Sequence, residues 1–129
     1  MLFLVISALV FVSTLVFIAL NKQKKSLDPE LAKKSSSKIQ KTSVLDANHS
    51  LMESHKILVS TIQQMYAGKN LSAAELLNRV AKRFPDEKEI WKFHRMRNKA
   101  AHEVDFQISD EEAKAARKAF KAALKALSN

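Results

Sequence analysis

Apolar residues follow two different rules along this chain. Residues 1–20, MLFLVISALVFVSTLVFIAL, are apolar almost throughout, interrupted only by Ser7, Ser13 and Thr14. From residue 43 onwards the apolar positions return every three to four residues, the period of an amphipathic helix. Between these regions lies a Lys/Ser-rich stretch, 21–42, with only scattered apolar residues.

Twenty helical residues rise roughly 30 Å, the thickness of a bilayer's hydrocarbon layer. The first region is therefore expected to be a transmembrane anchor, 1–20. A cleaved signal peptide would show a basic start and a small-residue cleavage site, and neither is present. No G-x-x-x-G argues for pairing between such spans. Lysines crowd the far flank, so the positive-inside rule predicts a single-pass protein of the cell (inner) membrane. Its N-terminus would lie outside and its C-terminal domain in the cytoplasm. Residues 21–42 read as a basic flexible or partly helical linker, helical around Pro29–Lys34. Its lysines suit lipid head groups, with lipid contact expected over residues 1–25.

The period in residues 43–129 predicts four helices, hence an all-α fold in which the anchor precedes a small four-helix bundle. The first of the four covers 44–68, with Leu51, His55, Leu58, Ile62 and Met65 along one stripe and Gly68 at its end. The second follows Ser72, whose spacing from Glu75 suits a capping box. Pro85 interrupts the chain, and Asp86 with Glu89 opens the third, which runs to His102. VDFQI connects it to the fourth, capped by Ser109 and Glu112 and carrying Ala113, Ala116, Phe120, Ala123 and Leu127. The core is modest for about 85 residues, so a second copy packed on the bundle would help it.

Composition agrees with helices: 129 residues include one Gly and two Pro. The absence of cysteine excludes a disulfide framework, a thiolate metal site and a cysteine nucleophile. Net charge is +9, but residues 21–42 alone hold seven Lys against Asp28 and Glu30. The overall basicity is therefore weak evidence for nucleic-acid binding by the domain itself. No cofactor motif is visible, and His102, Glu103 and Asp105 match no strong metal-ligand spacing.

The chemically unusual stretch is KFHRMRNKAAHEVD, 92–105. On a helical wheel Lys88, Lys92, Arg95 and Lys99 share the wet side, while Ile90, Phe93, Ala100 and Ala101 lie opposite. Arg97 falls in the middle of that apolar arc, with His94 and Asn98 at its border. A guanidinium there needs a partner, because it cannot shed its charge. One solution is an ion pair with Asp46, Glu53 or another acid inside the bundle. The other is an anion site: the guanidinium fork suits phosphate, and histidine suits proton transfer near neutral pH. Arg97 and His102 are offset by about 140° around the helix and roughly 7.5 Å along it. Two antiparallel copies would bring two such pairs to one cleft.

RNKAAHEVDFQIS, with the helix before it and the amphipathic helix after it, resembles the HEPN superfamily of helical nucleotide-binding domains. Its R-x(4–6)-H motif is matched by Arg97, Asn98 and His102, and the resemblance extends over about 43–129. It implies a metal-independent endoribonuclease in which the RNA 2′-hydroxyl attacks the adjacent phosphate. His102 would then move a proton, Arg97 stabilise phosphoryl charge and Asn98 orient the phosphate or the imidazole, with His94 and Glu103 in support. The resemblance also implies a homodimer, here through the first and third bundle helices, with RNA as partner. The alternative function is a non-catalytic adaptor that dimerises or binds another protein.

Overall fold

Helix ends coincide with capping side chains. Ser72 and Ser109 each accept a hydrogen bond from the amide three residues on, and the Glu75 and Glu112 carboxylates accept one from the cap amide. Asp46 and Asp86 cap two further helices through His49 and Glu89. These caps satisfy amides that a helix start leaves unpaired. The computed structural model describes residues 1–20 and 25–129, with the backbone alone for 18–20. Among the described residues it contains six α-helices: α1 (Leu2–Leu20), α2 (Pro29–Lys41), α3 (Ala47–Gln64), α4 (Ala73–Val80), α5 (Glu87–His102) and α6 (Asp110–Leu127). Short 3-10 turns, Thr42–Val44 and Ala81–Arg83, follow α2 and α4. Gly68, at φ 85°, supplies a left-handed residue in the turn after α3.

Two expectations are corrected. Among the described residues no helix is long and apolar enough to cross a membrane. The transmembrane anchor over 1–20 and the single-pass membrane placement that followed from it are therefore not supported. Of the basic residues expected beside it, Lys22 and Lys24 lie outside the described residues.

The second correction is the helix count. Beyond α1 there are five helices rather than four, because Pro29–Lys41 is a continuous helix packed on α3 and α6. Its inner face is Ala32, Ser35 and Ile39, the last fully buried. Leu27, just ahead of it, is 2% exposed and donates its amide to the Leu127 carbonyl at 2.8 Å. Two of the three inward residues are small, which hid the stripe among lysines and serines in the sequence.

The core is shared by α2, α3, α5 and α6, with α4 packed on α3. Leu51, Leu58 and Ile62 of α3 meet Phe93 of α5 and Phe120, Leu124 and Leu127 of α6, all buried. Two polar side chains pin the connections. Arg83 donates to the carbonyls of Lys25 (2.6 Å) and Leu127 (3.0 Å), tying the approach to α2 to the end of α6. Asn48 donates to the Phe106 carbonyl and accepts from the Ile108 amide, holding the α5–α6 connection against α3.

Candidate functional site

The site is built where α3 crosses α5. Glu87–His102 is helical because Asp86 caps its start and its acids, Glu87 and Glu89, fall in the first turn where the helix dipole favours them. Ile90 and Phe93 anchor its first half in the core. One turn on, the inward positions become polar: His94 and Asn98 at i, i+4, with Arg97 beside them.

These side chains form one chain of hydrogen bonds. Arg97 Nη1 donates to Asn98 Oδ1 at 3.3 Å. Asn98 Nδ2 lies 3.4 Å from His94 Nε2, and His94 Nδ1 lies 2.9 Å from His55 Nε2 on α3. Donor chemistry sets the direction throughout. A guanidinium has only donors, so the Asn98 oxygen must face it and the amide nitrogen must face His94. His94 Nε2 then accepts, so its proton sits on Nδ1 and is donated to His55 Nε2. This arrangement needs both imidazoles neutral. Burial supplies that condition: His55 is 3% exposed and His94 9%. Desolvation, then the charges of His94 and Arg97, push the His55 pKa down to about 3. His94 is lowered as well, by desolvation first and then by Arg97 and Arg95. The ring of Phe120 meets His55 edge-on, and Trp91 does the same to His94.

Arg97 makes no ion pair with Asp46, Glu53 or any other acid among the described residues. Asp46 is taken up by His49, whose pKa the pairing raises while that of Asp46 is lowered. Arg97 Nε is buried with no acceptor. A buried unpaired donor costs about 1–3 kcal/mol, more when charged. The same guanidinium lines a cavity of about 300 Å³ between α3 and the start of α4, with His55, Lys56, Ser60, Gln63 and Leu76. Two cations face this space, and no carboxylate lines it.

His102 stands apart. It is the last residue of α5, exposed, and holds no side-chain hydrogen bond among the described residues. Glu103, the C-cap, and Ala101 are exposed too, because α5 outruns the core after Ala100. Within one chain the structure therefore joins Arg97, Asn98 and His94 and leaves His102 and Glu103 out. His55 belongs to the cluster although the sequence pattern places it only on the apolar stripe of its helix. The signal was its position on the α3 stripe, but its partner, 39 residues away, was not visible.

Chemically the buried imidazoles are occupied. Each Nε2 lone pair already accepts a hydrogen bond, so neither is a free base while the network is intact. Arg97 offers positive charge and an unused N–H. No group of three or more His, Asp or Glu able to hold a metal ion occurs among the described residues. Comparison with family models, with curated proteins and with solved structures found no match.

Proposed function

We propose that residues 43–129 act as a HEPN-like, metal-independent endoribonuclease whose phosphate ligand is Arg97. The observation that supports this most is the half-buried Arg97, which has no carboxylate partner, keeps its Nε buried without an acceptor and lines an open cavity. A phosphoryl oxygen entering the cavity would form a charge-assisted bond to the guanidinium. Asn98 holds the guanidinium in orientation rather than touching phosphate. In the reaction the 2′-oxygen attacks phosphorus and the bond to the 5′-oxygen breaks. The products are a cyclic phosphate and a 5′-hydroxyl. One His102 takes the 2′-hydroxyl proton, and the His102 of a second copy gives a proton to the leaving oxygen. The second copy is required because His102 and Arg97 of one chain are not assembled together.

The test is cleavage of a mixed-sequence RNA by the full chain in the presence of a chelator. Arg97→Ala and His102→Ala should each slow cleavage at least about 100-fold, the usual scale for losing an electrostatic or acid–base contribution. Identical cleavage by wild type and both variants would sink the proposal.

One observation favours a second reading, a non-catalytic dimerising or protein-binding module. Among the described residues no side-chain hydrogen bond positions the His102 ring. On this reading the protein is a dimer by light scattering, the dimer survives His102→Ala, and RNA is left intact. A strictly monomeric chain would count against both readings.

A further inference from the structure

The lysines of α6 look in sequence like a solvated flank, but in the fold they line a cleft. Lys114, Lys118, Lys121 and Lys125 sit at i, i+4, i+7 and i+11, a single stripe running about 16 Å along the helix. Across from them α2 contributes Lys33. The space between is a cavity of about 510 Å³ floored by Ala32, Ser36 and Ala122. It has a neighbour of about 200 Å³ that shares Lys118 and Lys121 and adds Lys114, Arg117 and Gln40. Small floor residues leave the groove open, and lysines stand on both walls.

Among the described residues no acid lines this groove. The acidic residues of α2 and α6 are Glu30 and the cap cluster Asp110, Glu111 and Glu112, and none lines either cavity. None of these lysines is in an ion pair among the described residues. Lys121 is held by Gln40 at 2.6 Å and Arg117 by Ser50 at 2.7 Å, so part of the array is already fixed in place.

We infer that the α2–α6 groove binds the phosphate backbone of a single-stranded nucleic acid. Exposed cations along both walls of an open groove suit a flexible charged strand that can follow it; a bilayer surface is flat. Lysine, a point charge, suits contact with successive phosphates without base readout. No aromatic side chain lines the groove, so base stacking contributes nothing. Affinity should then depend on salt and not on sequence. The inference goes beyond the Arg97 reading and does not rest on it, since the groove shares no residue with that cavity.

The test is fluorescence anisotropy of the full chain with labelled oligo-dT at several salt concentrations. This strand has no 2′-hydroxyl, so the outcome is independent of cleavage. About four phosphate contacts predict a log–log salt slope near −3, or roughly 50-fold weaker binding between 50 and 200 mM salt. Lys118→Glu with Lys125→Glu should weaken binding at least about tenfold and flatten the slope to about half. Lys118→Arg with Lys125→Arg should keep it. Lys69→Glu with Lys88→Glu, the same charge change away from the groove, should leave binding within about twofold. Equal losses in the two charge-reversed proteins would overturn the groove. So would equal binding to poly-glutamate, or binding to anionic phosphatidylserine vesicles but not to oligo-dT.

Discussion

Helix α3 buries polar groups on two faces, and they are solved differently. Towards α2 and α6 it presents hydroxyls. Thr42 donates to the Ile39 carbonyl, so Ser50 must donate to Thr42 (3.1 Å) and accept from Arg117 (2.7 Å). Thr61 meets Ser35 at 2.8 Å and the Ile57 carbonyl at 2.6 Å. Every group there is paired, and the neighbouring apolar residues close over them. Towards α5 it presents His55, and the chain His55–His94–Asn98–Arg97 ends on a donor with no acceptor beside a cavity. A closed network supports the fold; an open one that terminates in a cation is available to a ligand. That contrast, more than the motif spacing, sets the self-contained hydroxyl network apart from the Arg97 network on which the proposed phosphate contact rests.

The contrast can be broken most forcefully from the α2 side. Ile39 is fully buried, so Ile39→Ala should cost about 3 kcal/mol by urea denaturation. A loss under about 0.5 kcal/mol would mean that residues 29–41 are a tether and not part of the core.

Acid separates the two faces next. Both imidazoles titrate lower in the folded chain than unfolded. The unfolded chain therefore takes up protons first as pH falls, and stability drops below about pH 6.5 towards the His55 value of about 3. Within that window His55 should remove up to about 1.4 kcal/mol per pH unit, His94 acts in the same direction, and the hydroxyl face contributes nothing. A urea midpoint unchanged between pH 7 and pH 5 would show that the histidines are not buried neutral.

Smaller effects sharpen the distinction. Ser50→Ala strands an Arg117 donor and leaves Thr42 without the proton it accepts, at about 1–3 kcal/mol, with RNA cleavage unaltered. Arg97→Met should do the reverse. Because Arg97 leaves a donor unpaired, removing it should change stability by less than about 1 kcal/mol while cleavage collapses. A large destabilisation by Arg97→Met would move Arg97 to the structural side of the comparison.

Much was legible along the chain because it rests on local chemistry. The capping boxes at Ser72 and Ser109, the break around Pro85 and the stripes of α3 and α6 each depend on residues within one or two turns. So does the placement of Arg97 among apolar neighbours on α5. Helix α2 was harder to read: Ala32 and Ser35 mark its buried face too weakly to stand out from lysines and serines. The wheel also treated Ala101 as inward, yet α5 outruns the core before reaching it.

By itself, then, the sequence determined the helices of residues 43–129, their caps and the misfit of Arg97, since 3.6-residue periodicity and end capping are properties of short segments. Only the tertiary structure decided what Arg97 touches. Its partner is the adjacent Asn98 and not an acid, a choice made by which side chains α3 brings to α5. The same holds for the two clefts: six cations spread over two helices become a groove only when α2 and α6 pack, because electrostatic convergence depends on distance in space and not along the chain.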